Sequence, residues 1–391
     1  MKKLITIINI IILSSNIFAQ NNIDTVLAQV EKNNTQLLAL RKSIEAEKIG
    51  NKTGIYLQNP EIGFNYLWGS PSDIGNRADI SITQTFDFPT AYGYKKQISN
   101  IKNEQVELEY QKQKIALFLQ TRNLCYDLIY TNALRYELSK RLVHAQDIAN
   151  SFKAKFEIGE TNILEYNKSQ LNLLNIKTEL ESVDIERIAL LSELSSLNGG
   201  IPIDFDNTVF QTQLIVLNFE DWYLLAEQNN PILNWLKQEI DISQRQIKLN
   251  KAMRLPKLQA GYMSEGLFGV YFQGLTIGLS IPLWENKNTV KYAKANTLAL
   301  ESIESDNKAQ FYNRLKTLHT KAIGLQKNIN VYGTDLQKFN NSKLLKKALD
   351  KGEISLIDYI LELSFYYESV NNLLEKERDL NKTLVELNQY M

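Results

Sequence analysis

Four short stretches of this chain alternate apolar and polar residues with a period of two. In the first, Ile62, Phe64, Tyr66 and Trp68 alternate with Glu61, Gly63 and Asn65. In the second, Ile80, Ile82 and Phe86 alternate with Asp79, Ser81, Thr83 and Thr85. The third sets Leu258, Ala260 and Tyr262 against Lys257, Gln259 and Gly261. The fourth sets Leu275, Ile277, Leu279 and Ile281 against Gly274, Thr276, Gly278 and Ser280. This alternation predicts strands with one apolar and one polar face. Turn-rich segments, Gly69 to Asp73 and Gly266 to Gly269, join them in pairs.

Elsewhere the pattern is helical. One helix is predicted from about Ile23 to Tyr56, stopped by Asn59-Pro60, and a second from about Glu220 to Met253, stopped by Leu255-Pro256. Very long helices should follow each strand pair, from about Thr90 to Phe156 and from about Glu285 to Asp350, each entered through a proline, Pro89 or Pro282. At 1.5 Å per residue each would extend roughly 100 Å. They carry their own seams. Leu138, Leu142, Ala145, Ala149 and Phe152 step by 4, 3, 4, 3. On the last helix Leu356, Ile360, Leu363, Tyr367, Val370 and Leu374 continue the same heptad rhythm.

Sharp turns connect the long helices. Gly159 and Gly352 can end the incoming helix with a positive φ. Thr161 or Asn162 in the first turn, and Ser355 in the second, can cap the outgoing one. An acid follows three residues after Asn162 and Ser355, namely Glu165 and Asp358, close to a capping box.

These features occur twice. Asn33-Asn34 recurs as Asn229-Asn230, Pro60 as Pro256 and Tyr66 as Tyr262, an offset of 196 (256 − 60). Pro89 recurs as Pro282 and Gly159-Glu160 as Gly352-Glu353, an offset of 193 (282 − 89). The chain thus divides into residues 1–19, a first repeat over 20–200, a connecting segment over 201–218 and a second repeat over 219–391.

Residues 1–19 read as a secretory signal: Lys2 and Lys3, an apolar run from Leu4 to Leu13, and a small residue, Ala19, at the expected cleavage site. The single cysteine, Cys125, allows no internal disulfide and is expected to be a buried small hydrophobe. With 44 basic and 44 acidic residues the net charge is zero, which gives no argument for a nucleic-acid partner or a polybasic membrane patch, and no nucleic acid is expected. The two histidines, His144 and His319, stand alone in helices and read as polar surface residues. No phosphate loop, nucleophile elbow or zinc spacing is present, so no catalytic, cofactor-binding or metal-binding residue is expected.

The strands alone fit either a soluble sheet or a barrel with lipid outside and water inside. Two observations favour the barrel. The helices have their own seams and leave nothing to cover a separate sheet. Aromatic residues also gather at the strand ends, among them Trp68, Tyr92, Phe268, Tyr271 and Trp284. Four strands cannot close a barrel, since the smallest needs about eight, so this reading requires oligomerisation. The fold class expected is mainly α with membrane β.

The doubled order of helix, two strands, long helix, tip and long helix resembles the outer membrane factor family of efflux and type I secretion systems, the TolC family. The junction from Gln84 to Gly93 is similar to that of the heavy-metal branch. The resemblance implies a homotrimer in outer membrane lipid of a Gram-negative bacterium. Three chains would close a twelve-stranded β-barrel, and their helices an α-barrel extending into the periplasm. It implies an exit duct for metal ions or small toxic compounds, without a cofactor. A periplasmic adaptor would join it to an inner-membrane pump, of the RND type. Carried over by motif, the adaptor would touch Gly159, Glu160, Asn162, Ile163, Gly352, Glu353, Ser355 and Leu356. Asp358 and Glu165 would narrow the periplasmic gate, although the second acid expected at Leu361 is absent. Asp79, Ser81, Thr83, Thr276 and Ser280 would face the barrel lumen. A type I protein secretion duct and a soluble periplasmic coiled-coil adaptor or scaffold are the alternatives.

Overall fold

Asparagine, proline and glycine residues set where the elements begin and end. A computed structural model describes residues 22–211 and 214–391. The expected signal segment and its cleavage site lie outside the described residues. The first half runs α1 (Ile23–Asn33), α2 (Thr35–Gly50), β1 (Glu61–Leu67), β2 (Arg77–Phe86), α3 (Pro89–Glu157) and α4 (Ile163–Leu197). The second runs α5 (Phe219–Asn229), α6 (Pro231–Ala252), β3 (Lys257–Leu267), β4 (Val270–Ser280), α7 (Thr289–Lys338), α8 (Ser342–Asp350) and α9 (Leu356–Leu387). The chain is mainly helical, with all four strands in one antiparallel sheet.

Three helices expected to be continuous are divided. The first breaks at Asn34, whose Oδ1 accepts from the Leu37 N–H at 2.8 Å and caps α2. Its counterpart breaks at Asn230, which accepts from Ile232 N–H at 2.9 Å, with Pro231 opening α6. The duplicated Asn-Asn pairs are therefore caps: a side-chain acceptor supplies the partner that the first-turn amides lack. The third break, at Phe339 to Asn341, separates α7 from α8. Asn340 Oδ1 takes the Ser342 N–H at 3.2 Å and the Ser342 hydroxyl at 2.7 Å, and its amide donates to Tyr366 Oη at 3.0 Å. Asparagine competes in this way with the helical ladder. Pro89 opens α3 as expected, whereas Pro282 does not open α7. The residues after it form turns, with Asn288 at a φ of 65°, and the helix starts at Thr289.

The described residues pack into two compact units, each drawing on both halves of the sequence. One contains residues 121–211 and 332–378 together with most of α1. Its core joins Ile148 and Phe152 of α3, Leu349 of α8, and Leu356, Tyr359 and Leu363 of α9. The heptad positions Leu138, Ala145 and Ala149 are buried too. Each buried aliphatic side chain contributes about 1.5–3 kcal/mol over the exposed state. Part of the connecting segment belongs here. Phe205 is fully buried, and Asn132 Nδ2 donates to the Phe205 and Asn207 carbonyls, each at 3.1 Å. Cys125 is also fully buried, and desolvation pushes its thiol pKa up to about 12, which leaves it inert.

The other unit contains residues 33–120, 214–331 and 379–391, and with them the sheet. Ala91 and Ile98 of α3 pack on Ile242, Leu249 and Ala252 of α6. A second cluster joins Phe219, Trp222 and Tyr223 of α5 to Leu315 and Ala322 of α7 and to Leu380, Leu384 and Leu387 of α9. His319 belongs to this cluster. It is 9% exposed, its Nε2 meets the Val216 carbonyl at 2.9 Å, and its ring lies 5.2 Å from that of Phe219. It is a buried, hydrogen-bonded side chain and not the surface residue that its isolation in sequence suggested.

Candidate functional site

The four strands follow sequence order, β1-β2-β3-β4, each antiparallel to the next. Their register sorts every side chain onto one of two faces. Ile62, Ile82, Tyr262 and Leu275 lie in one row across all four strands. Phe86, Leu258 and Leu279 lie in another on the same side. This apolar face is open to the surroundings: Ile62 is 76% exposed, Leu275 87% and Ile277 89%. A soluble sheet would bury such a face against a core.

The other face is mainly polar, with Met263 and Phe272 among its members. Asn65, Asp79 and Glu265 lie in one row, and Glu61, Thr83, Gly261 and Thr276 in another. Ser81 sits opposite Gly63, and Ser280 opposite Lys257. All five residues expected to line a lumen therefore share one side of the sheet. A network that the alternation did not reveal also lies here. Arg77 Nε donates to Asp79 Oδ1 at 2.7 Å, and its Nη2 meets Glu265 Oε1 at 2.8 Å. The Asp79 carboxylate is buried, and this pairing offsets its desolvation. Two glycines on this face are closely approached by neighbouring side chains. A Cβ on Gly261 would lie 2.7 Å from Thr276 Oγ1, and one on Gly278 would lie 2.8 Å from Gln259 Oε1. Glycine in a strand marks such a close approach.

β3 and β4 are joined by a two-residue turn in which Phe268 and Gly269 both have positive φ, 53° and 77°. That is the turn whose twist matches a tight hairpin. β1 and β4 each have a neighbour on one side only, so the sheet ends in two unpaired edges.

The hairpin tips belong to the other unit, and both use one backbone device. Gly159 has a φ of 77°; its N–H donates to the Phe156 carbonyl at 3.1 Å, and that of Glu160 to Lys155 at 2.8 Å. Gly352 has a φ of 72°; its N–H donates to Leu349 at 3.0 Å, and that of Glu353 to Ala348 at 2.8 Å. These paired bonds satisfy the last helical carbonyls. Asn162, and not Thr161, caps α4, accepting from the Glu165 N–H at 3.0 Å. Ser355 Oγ accepts from the Asp358 N–H at 3.2 Å and donates to the Asp358 carboxylate at 2.6 Å. Neither turn closes the expected reciprocal box. Glu165 pairs instead with Lys168 at 3.1 Å, and Asp358 bonds the Ser355 hydroxyl.

Of the tip residues expected to meet a partner, Gly159, Glu160, Asn162, Ile163, Gly352, Glu353 and Ser355 are exposed. Leu356 is not. It is 2% exposed and lies in the core between α3 and α9, where it supports the tip from within. Asp358 is exposed and Glu165 half-buried. Sequence reasoning also missed a cluster above this tip core. His144 Nε2 meets Tyr359 Oη at 2.7 Å, and its ring is edge-on to that of Tyr359. The spacing of α3 and α9 in sequence hides this pair.

Among the described residues no group of His, Cys, Asp and Glu side chains is disposed to hold a metal ion. No helix there is long and apolar enough to cross a membrane.

No family model matches the sequence, and no curated protein matches it. Solved structures match it closely in fold. CusC, whose structures concern folding and transmembrane channel formation, superposes with a TM-score of 0.81 at 12% identity, covering 95% of this chain and 92% of its own. The Campylobacter jejuni CmeC outer membrane channel gives 0.76 at 14% identity, covering 95% and 85%. The outer membrane protein VceC of Vibrio cholerae gives 0.74 at 11% identity, covering 94% of each chain. With these superpositions spanning nearly the whole chain, the fold is that of the outer membrane channels, as the resemblance to the TolC family implied.

Proposed function

We propose that this chain is one subunit of a homotrimeric outer membrane channel, the exit duct of a tripartite efflux system. The observation that carries this reading is the sheet: four strands, two unpaired edges, an exposed apolar face and a mainly polar opposite face. Closing the edges on two further copies gives twelve strands, with lipid against Leu275 and Ile277 and water against Thr83 and Thr276. The likeness to channel structures supports the same assembly.

Transport through it is passive. A pump of the RND type in the inner membrane supplies the work, and an adaptor binds the exposed tip residues around Gly159 and Gly352. The cargo is metal ions or small toxic compounds, a reading supported by the junction from Gln84 to Gly93. Asp358, and with it Glu165, forms the acidic constriction at the periplasmic gate. Three copies of Asp358 near one axis repel when ionised, and adaptor binding would favour the open arrangement.

The test is the mass of the detergent-extracted protein by light scattering on a sizing column, starting from the outer-membrane fraction. Three chains in that fraction are expected. A soluble monomer or dimer in the periplasm would return the strands to a soluble sheet and favour an adaptor or scaffold. For the gate, Asp358→Asn is expected to change the resting conductance in planar bilayers; an unchanged conductance would remove Asp358 from it.

A further inference from the structure

The sheet has two ends. At one, α2, α3, α6 and α7 adjoin the strands; at the other, β1 turns into β2 and β3 into β4. Towards the turns the mainly polar face changes character. Its last row reads Leu67, Arg77, Leu267 and Val270 across the four strands, and the row before it Asn65, Asp79, Glu265 and Phe272. Rows nearer the helices carry Thr83 and Thr276, then Thr85 and Gln259. Four large apolar side chains thus stand on the face assigned to water, and all are exposed: Leu67 53%, Leu267 38%, Val270 58% and Phe272 66%. A contiguous apolar patch rimmed by polar groups marks a binding surface, whereas scattered apolar residues do not.

The neighbours of the patch set the charge of what it binds. Phe272 lies opposite Glu265. Glu265 and Asp79 share a single cation, Arg77, at 2.8 and 2.7 Å, so this corner of the sheet keeps one negative charge. Gly274 follows Phe272 on the same face, opposite Met263, and no neighbouring side chain fills the place of its Cβ, which leaves room beside the ring. An aromatic face next to a residual carboxylate charge attracts a cation. The aliphatic groups around it favour a cation with an apolar body. An anion would be repelled here, and a small hydrated cation would gain nothing from Leu67 or Val270.

We propose that this corner of the lumen wall binds an organic cation with an apolar body, such as an aromatic quaternary amine, and that Phe272 is the residue that selects it. The proposal rests on the channel reading and narrows its cargo, placing organic cations among the small compounds that leave by the duct. Leu67 lies on β1 and Val270 and Phe272 on β4, the two open edges. Pairing those edges between three copies continues the patch around the mouth, so a cation moving along the wall meets these sites last.

The test records potassium conductance through the full chain in planar bilayers while benzyltrimethylammonium is added to both sides. A saturable fall in conductance is expected. Tetramethylammonium has the charge without the ring, and benzyl alcohol the ring without the charge; each should need a concentration about tenfold higher or more. Phe272→Ala should raise the half-effective concentration of benzyltrimethylammonium about fivefold or more, and Phe272→Trp should preserve it. Glu265→Gln, which removes the residual charge, should raise it severalfold. Should Phe272→Ala fail to assemble, Phe272→Leu keeps apolar volume, loses the ring and should also weaken the effect. No saturable effect, equal potency of tetramethylammonium, or a potency indifferent to Phe272 would each overturn the proposal and leave the channel reading standing. A protein that conducts no potassium would overturn both.

Discussion

At the scale of single residues, a few side chains and one backbone angle govern the tips. Gly352 holds a φ of 72°, a region that costs an L-residue roughly 1–2 kcal/mol. Gly352→Ala should therefore lower the stability of the purified protein by about 1 kcal/mol, read as a drop in thermal midpoint. An equal loss is expected for Asn162→Ala, which removes the cap of α4 and costs about 1 kcal/mol. His144 gives a pH dependence. Burial holds its pKa below the ordinary value, with Lys346 adding to the effect and Asp147 and Asp350 opposing it. The unfolded chain then binds the proton more readily. The stability this residue contributes is complete above about pH 6.5 and is lost as pH falls towards the lower folded value. Thermal midpoints between pH 7 and pH 5 should fall more steeply for the natural chain than for His144→Gln; parallel curves would assign the pH dependence elsewhere. The glycines and caps were legible in the sequence because their chemistry is local. The contacts of His144 were not, since Tyr359 is remote in sequence and only the packing of α3 on α9 brings it within 2.7 Å.

At the scale of elements, the sheet offers the sharpest contrast. Adjacent residues of β4 point to opposite faces: Ile277 to the open apolar side, Thr276 to the polar one. A lysine on the lipid face near the middle of a membrane costs about 2–4 kcal/mol. Ile277→Lys should therefore reduce the amount of assembled protein recovered from the outer membrane, whereas Thr276→Lys should be tolerated. Equal effects would mean that neither face meets lipid. Period-two alternation exposed these faces directly, because it is a property of each strand alone. The helical breaks were harder to see. Long apolar periodicity continued through Asn34, Asn230 and Asn340, and only the side-chain bonds to following amides show that the ladder stops there. Pro282 misled in the opposite way. A proline favours a helix start, yet the left-handed Asn288 delays α7 to Thr289.

At the scale of the whole molecule, the charge of the polar face becomes a transport property once three copies share one lumen. On that face the strands of one chain carry Glu61, Asp79 and Glu265 against Arg77 and Lys257, a net charge of −1. Three chains give −3. Part of that charge is committed: Arg77 lies between Asp79 and Glu265 and offsets one of their two charges. Glu61 stands outside this network and is exposed, so its field acts on the open space. A ring of like charge at a narrow passage raises the local concentration of counter-ions. The assembled channel should therefore prefer cations, seen as a reversal potential of the matching sign across a potassium chloride gradient. Glu61→Lys changes the face from −1 to +1 per chain and the lumen from −3 to +3, so it should shift that potential towards anions. The shift should shrink as salt rises and the screening length falls below the pore radius. A potential indifferent to Glu61 would mean that ions do not pass along the polar face, and the assignment of lumen and lipid sides would have to be reversed.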